Sequence, residues 1–543
     1  MAQPLDHRGS EVTRFNLVSE PWILCRLADG TVAELSLREV FARANSIAEV
    51  VGEVATQTFA ITRLLLAILY RALGEGYRES EDWAELWAEG LPRPIIDAYL
   101  DAHEPRFDLL HPVEPFFQVA DLRTSKGEHK DVSQLIFDLP ANNRLFSTRA
   151  GAGIERLSFA EAARWLVNAQ AFDSSGIKSG AVGDDRVKGG RGYPIGVAWA
   201  GLLGGILVEG DTLSRTLLLN LVDPSEWGGA AQNDLPPWER PQSTEVCPDR
   251  PPRGPVDLYT WQSRRVRLFT DASGVVGSLV CNGDRLTPQN QHGVEPMTAW
   301  RRSTPQEKKL GLPLVYMPLE HDPSRAFWRG ISALIPKRVD SYSGSEAAAR
   351  QPSGVLSWLA GLQLDGYLPP DTVLRLRAIG VVYGTMSAVV SEIVDDRLTL
   401  SLAVLSSESA RLGSIAEAAV ERADKGVRAL GNLAANLAIA AGGVPAGFEE
   451  RAREEGFAAL DGPYRSWLAG LTPASDPDAA YAAWQARAYR ILRDLGSALI
   501  DESGPAAWAG RDHRGSRMNT ARAELWFIRQ LTTTFITAKE HSA

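Results

Sequence analysis

The feature that most constrains the fold is a change of pattern at about residue 398. Beyond it, SIAEAAVERADKGVRALGNLAANLAIAAGG is an alanine-rich helical run that stops at Gly442-Gly443. A second helical segment covers 446–470. A third, 477–500, aligns Trp484, Ala488, Ile491, Leu495 and Leu499 on one face. A fourth, 517–537, aligns Ala521, Leu525, Ile528 and Phe535. Four helices joined by short Gly/Pro connections bury their apolar faces as a four-helix bundle, which is assigned to residues 396–543.

The preceding part alternates strands and helices. FNLVSEPWILCRLADGTVAELSLREVFARA predicts a strand, a turn at Asp29-Gly30, a second strand and a helix opened near Ser36. TQTFAITRLLLAILYRAL is an apolar helix broken by Gly74 and Gly76. VAWAGLLGGILVEGDTLSRTLLLNLV predicts a buried strand or short helix followed by a strand, and residues 222 to 260 form a long ordered loop rich in proline and tryptophan. DLYTWQSRRVRLFTDASGVVGSLVCNGDRL gives strands with turns at Ser273-Gly274 and Asn282-Gly283. At 543 residues the chain exceeds what one core supports. The fold class is therefore α+β, with a large mixed domain over 1–395 followed by the bundle.

Composition narrows the function. The chain is 44% hydrophobic and 23% charged, as ordinary globular proteins are, and carries a net charge of −10. A protein that holds nucleic acid through a broad electrostatic face is usually basic, so any such role here needs local cationic patches or a partner. Cys25, Cys247 and Cys281 are far apart and odd in number, which fits free thiols and neither a disulfide framework nor a zinc set. The charged N-terminus and the arginine-interrupted apolar runs predict a cytoplasmic protein without signal peptide or membrane span.

No phosphate loop, HExxH, paired-cysteine set or GxSxG occurs. His321 in HDPSR and His513 in RDHR stand beside aspartates. They are candidate acid–base pairs for a hydrolase, or polar surface pairs. Cations gather elsewhere. Arg265 and Arg267 share one strand face in WQSRRVRLF, with Arg264 on the other; Arg301-Arg302 and Lys337-Arg338 are further pairs. From Phe172 to Pro194, FDSSGIKSGAVGDDRVKGGRGYP is almost free of large apolar residues and carries Lys178, Arg186, Lys188 and Arg191. These side chains are either solvated surface charges or phosphate contacts, and their placement on polar Gly/Ser/Pro loops favours the second.

Taken in order, FNLVSEPWI, TQTFAITRLLLAIL, HPVEPFFQV, NRLFSTRAG, GIKSG…GGRGYP, LSRTLLLNLV, WQSRRVRL and YGTMSAVVSE span nearly the whole chain. The ordered set resembles the CasA family, large subunits of the type I-E CRISPR Cascade surveillance complex. The resemblance implies a non-enzymatic subunit without cofactor. Its partners would be the other Cascade proteins, the 5′ handle of the CRISPR RNA, double-stranded target DNA and a recruited helicase-nuclease. Such a subunit reads the protospacer-adjacent motif (PAM) from the minor groove and helps open the duplex.

The resemblance also implies site residues. Ser174, Ser175, Gly176 and Lys178 stand where the family carries a glycine-rich loop against the minor groove; here a single glycine is flanked by serines. Thr385, Met386, Ser387 and Ala388, after Tyr383 and Gly384, correspond to a wedging hairpin tip, with Met386 as the wedge. Met386 as a filler of a core gap is the alternative. Arg285 is the nearest cation in CNGDRLTPQNQHG, where relatives place a lysine finger. Phe146, Ser147, Thr148 and Arg149 correspond to the loop that meets the guide handle and the backbone subunit. Leu157 and Ala160 occupy the place of a cysteine pair in some relatives, so no metal is expected. Besides the hydrolase, a scaffold whose bundle binds only protein is a competing reading.

Overall fold

The computed structural model describes residues 14–137, 139, 155–223, 233–336, 349–513 and 515–535. The chain divides into two compact units. The first comprises Met1–Ser324, Val339–Leu362 and Arg375–Arg397; the second comprises Arg325–Arg338, Gln363–Leu374 and Leu398–Ala543.

In the first unit, Ile23–Leu27 pairs with both Val32–Leu35 and Ile47–Val50 in an antiparallel sheet. The turn at Asp29-Gly30 forms as the sequence predicts, with Gly30 at φ 86°. Ser36 caps the helix Leu37–Ala42 in a capping box with Glu39. The apolar helix Ala55–Leu73 is buried along most of its length and ends at Gly74. Its buried cation, Arg63, is answered from far along the chain. Glu295 takes it through two bonds of 2.8 and 2.7 Å, Trp199 Nε1 donates to the same carboxylate at 2.7 Å, and Tyr259 lies against the guanidinium. A charge buried this deeply persists because its partner and hydrogen bonds are both supplied.

Three further sheets frame the rest of this unit. Tyr316–Pro318, Trp300–Arg302 and Arg350–Gln351 form one, and Gly205–Glu209, Val373–Tyr383 and Val390–Ser401 form the second. The third runs in the order Arg191–Gly192, Lys178–Ser179, Gly274–Asn282, Arg264–Asp271. Two readings differ from expectation: Asn282-Gly283 is no turn, because Asn282 ends the strand Gly274–Asn282 and the Gly283 N–H donates to the Ser263 carbonyl at 3.0 Å, and LSRTLLLNLV is not a strand but the helix Leu213–Leu219. Thr212 caps it by accepting from the Arg215 N–H at 3.3 Å, and its unbranched-at-Cβ leucines favour helix. Asn220, just beyond, exchanges hydrogen bonds with the backbone of Val208 in the neighbouring strand.

The second unit holds four long helices, Ala410–Ala441, Pro445–Ala469, Pro477–Asp501 and Thr520–Phe535. The bundle is as the sequence predicts, but two of its faces are not. The third helix buries Trp484, Ala488, Leu492, Gly496 and Ile500, leaving Ile491, Leu495 and Leu499 half-buried. The fourth buries Thr520, Ala523, Phe527, Leu531 and Phe535, while Ala521 and Leu525 are exposed. The buried rows step by four, the ridge that seats against a neighbouring helix. Their gaps are filled from across: the Phe527 ring occupies the space that a side chain at Gly496 would take. Among the described residues no helix is long and apolar enough to cross a membrane.

Candidate nucleic-acid interface

The FDSSGIKSG segment starts where the helix Phe159–Phe172 ends. That helix opens with a capping box of Ser158 and Glu161, and its last carbonyl, on Phe172, accepts from Tyr383 Oη at 2.5 Å. Tyr383 closes the strand leading into the hairpin tip, so loop and tip are anchored at one point. A second bond joins them directly: the Ser175 N–H donates to the Ser387 carbonyl at 2.8 Å. Gly176 has φ 122°, a conformation that strains any L side chain, and a Cβ there would lie 3.7 Å from the Ala388 methyl. Two segments more than two hundred residues apart in sequence thus form one surface feature.

An ion cluster holds the loop from beneath. Asp173 accepts from Lys178 Nζ at 2.6 Å and from Arg264 Nε. Arg264 also donates to the carbonyls of Ser263, Ser174 and Gly196 at 2.9, 2.9 and 3.0 Å. Burial alone raises the Asp173 carboxyl, but the two cations outweigh it and hold the group below its ordinary value. Burial lowers Lys178, with Asp173 opposing.

The tip itself is strained and open. Met386 and Ser387 have φ 54° and 55°, successive left-handed residues that are not glycine. Turn bonds from Ser387 N–H to Gly384 O at 2.9 Å and from Ala388 N–H to Thr385 O at 3.1 Å hold them. Met386 is 86% exposed, which removes the core-filling alternative. Thr385 and Ala388 are exposed beside it.

Several cations are not where the sequence reading put them. Lys178 is only 10% exposed and belongs to the Asp173 pair, so it is not available to a phosphate. Arg264 and Arg265 are buried structural residues. Arg265 is bound to Asp284 at 2.5 Å and to the Thr244 carbonyl at 2.7 Å. Arg267 donates to the Leu122 carbonyl at 3.2 Å and lies over the Phe269 ring. Arg186 grips Asp184 at 2.9 Å and reaches the Gly283 carbonyl at 3.1 Å. A strand that adjoins both a loop and a helix end has carbonyls to satisfy, and these arginines satisfy them. Lys188 and Arg285 remain exposed. Ser175 is 8% exposed and contributes its backbone, whereas Ser174 and Gly176 are half-buried and Ile177 is exposed. Phe146, Ser147, Thr148 and Arg149, and the Lys337-Arg338 pair, lie outside the described residues.

The sequence reading overlooked Asp173 as the anchor of the loop and the Tyr383 hydroxyl as the anchor of the tip. An aspartate directly after a helix, five residues before a lysine, is the only local trace of the first. His321 is half-buried with Nε2 on the Gly205 carbonyl at 2.9 Å, and Asp322 accepts from Ser324. His513 lies in the short strand Arg511–His513. Among the described residues no group of three His, Cys, Asp or Glu side chains is placed to hold a metal. Leu157 is fully buried and bridges to Val275, and Ala160 packs inside its helix. Cys25 and Cys281 are buried, which pushes both thiols up to about 12, and Cys247 is half-buried.

A chain with this fold has known relatives. The family model described as CRISPR-associated protein Cse1 matches residues 16–495. A curated relative, the CRISPR-associated protein CasA/Cse1 of Thermus thermophilus, is 31% identical over 352 residues, 63% of this chain. That match spans 64% of the relative's length, just under two thirds. The crystal structure of Thermobifida fusca Cse1 is 49% identical, with a TM-score of 0.89 over 96% of this chain and 98% of that one. Cse1 from Acidimicrobium ferrooxidans is 31% identical, with a TM-score of 0.83 over 98% of this chain and all of that one. This chain belongs to the CRISPR-associated Cse1 family.

Proposed function

We propose that the chain is the non-catalytic large subunit of a type I-E CRISPR RNA-guided surveillance complex, reading the PAM in double-stranded DNA through the 174–177 loop and the 385–388 tip. The observation that carries this is the Ser175–Ser387 backbone bond, 2.8 Å long, which makes loop and tip a single probe. Small residues suit the approach, because the minor groove is only about 6 Å wide. Ser174 and the Gly176 backbone are slim enough to enter it. Exposed Met386 then stands beside the groove as an apolar wedge, whose insertion costs a few kcal/mol of unstacking per base step.

The charge supports the same reading. With a net charge of −10 the chain holds little duplex by bulk electrostatics. A subunit that reads a short motif, while guide RNA pairing supplies sequence specificity, needs no more. In this role it docks beside the CRISPR RNA 5′ handle and other Cascade subunits, promotes strand separation and R-loop formation, and presents a platform to the helicase-nuclease. The test is binding of the reconstituted complex, with and without this chain, to duplexes that differ only in the PAM. PAM preference should disappear without the chain and weaken in Ser174→Asp, whose carboxylate repels nearby phosphates. Equal binding to all duplexes by the complete complex refutes the role.

A further inference from the structure

The four-helix bundle carries an open groove between its first and fourth helices that the PAM reading does not use. Lys425, Arg428 and Asn432 line one wall from Ala410–Ala441; Arg529 and Gln530 line the other from Thr520–Phe535. The positions explain the convergence. Residues 425, 428 and 432 are three and four apart and share a face, and 529 and 533 are one turn apart on the facing helix. Ala429 and the threonines 533 and 534 complete the lining.

The groove is cationic without a counter-charge. Among the described residues no lining residue is acidic, although the chain has ten more carboxylates than Lys and Arg together. Lys425, Arg428 and Arg529 form no ion pair among the described residues. Asp424, the adjacent carboxylate, is taken by Arg329 at 3.2 Å. Thr533 and Thr534 donate their hydroxyls to the carbonyls of Arg529 and Gln530, each at 2.8 Å, and so hold these hydrogens within their own helix. Asn432 Nδ2 donates to Gln530 Oε1 at 3.1 Å, which occupies the Gln530 acceptor and leaves its amide N–H groups as donors. What the walls offer is chiefly positive charge, with N–H donors from Lys425, Arg428, Arg529 and Gln530.

We propose that this groove binds the sugar–phosphate backbone of a single nucleic-acid strand. A phosphate chain presents anionic acceptors in sequence, and the three unpaired cations of the groove complement them. A cleft between two packed helices admits a strand more readily than a duplex.

The test uses the full chain and fluorescent oligothymidylate of about twenty nucleotides, followed by anisotropy across a salt series. Each phosphate met by a cation on a single strand contributes about −0.7 to the slope of log affinity against log salt. The variant Lys425→Ala/Arg428→Ala/Arg529→Ala should therefore flatten the slope by about 2 and weaken binding at low salt by tenfold or more. Arg428→Lys/Arg529→Lys should keep the slope. Met386→Ala, at the hairpin tip, should leave oligothymidylate binding unchanged, so this result stands apart from the fate of the PAM reading. Absence of binding by the wild-type chain, or an unchanged slope in the triple variant, overturns the proposal. So does displacement of the oligonucleotide by poly-glutamate at equal charge concentration, which assigns the groove to an acidic peptide.

Discussion

At the residue scale, the decisive group is Asp173. It neutralises two buried cations at once, Lys178 and Arg264, and Arg264 in turn fixes the Ser174 carbonyl. Breaking a buried ion pair by removing one partner costs about 3–5 kcal/mol, because the other charge is left uncompensated. Without Lys178 the Asp173 carboxylate still has Arg264, whereas without Asp173 both cations lose their carboxylate, so the loss of Lys178 costs less. Urea denaturation should show Asp173→Asn destabilised by about 3 kcal/mol and Lys178→Ala by about 1 kcal/mol. In the assembled complex, Lys178→Ala should leave the salt slope of PAM-duplex binding unchanged, since its ammonium already has a carboxylate. A slope reduced by about one phosphate would mean that the lysine leaves Asp173 for DNA. The pH dependence follows from the sign of the shift. Asp173 is held below its ordinary value, so its contribution is present at neutral pH and lost as pH falls through the depressed value, below about 4.

At the element scale, the bundle shows why helix propensity is a poor guide to substitution. Gly426 lies in the interior of the long first helix, where alanine gains about 1 kcal/mol of intrinsic propensity. A Cβ at that position, however, would sit 2.5 Å from Leu492 Cδ1 and 2.6 Å from the Phe535 ring. Overpacking a fitted core costs about 1–3 kcal/mol, and here it opposes and exceeds the propensity gain. Thermal melting should place Gly426→Ala below wild type, while exposed Gly447→Ala, with open space around it, should be neutral or stabilising. A rise in the midpoint for Gly426→Ala would show that the helices separate at no cost. The same packing explains the shifted faces: Phe527 lies against Gly496, so the buried row runs through the glycine rather than through Leu495.

At the scale of the whole molecule, a histidine away from either site adds to acid sensitivity. Burial lowers His321, against the Gly205 carbonyl bond that raises it. A base whose folded value lies below its ordinary value of about 6.5 stays neutral in the fold while the unfolded chain takes up a proton. Stability is therefore lost as pH falls from about 6.5 toward the depressed folded value. Melting curves between about pH 7.5 and 5.5 should show this decline, and His321→Gln should flatten it. A decline of equal size in the variant would assign the acid sensitivity to other groups.

The sequence alone determined what local chemistry dictates. The Ser36 cap, the Asp29-Gly30 turn, the stop at Gly442 and the four helical segments are all written in adjacent residues. It also determined the location of a slim loop free of core residues and of a separate Met-bearing tip. Only the tertiary structure decided that these two are one feature, because the Ser175–Ser387 and Tyr383–Phe172 bonds join residues more than two hundred positions apart. It likewise decided which cations are spent. Arg264, Arg265 and Lys178 read as surface charges in a polar context, yet each has a carboxylate: Asp173 of its own loop for Lys178, and Asp173 and Asp284 from other segments for Arg264 and Arg265. Charge is a property of a residue, but its availability depends on the partner, and the chain's path brings that partner.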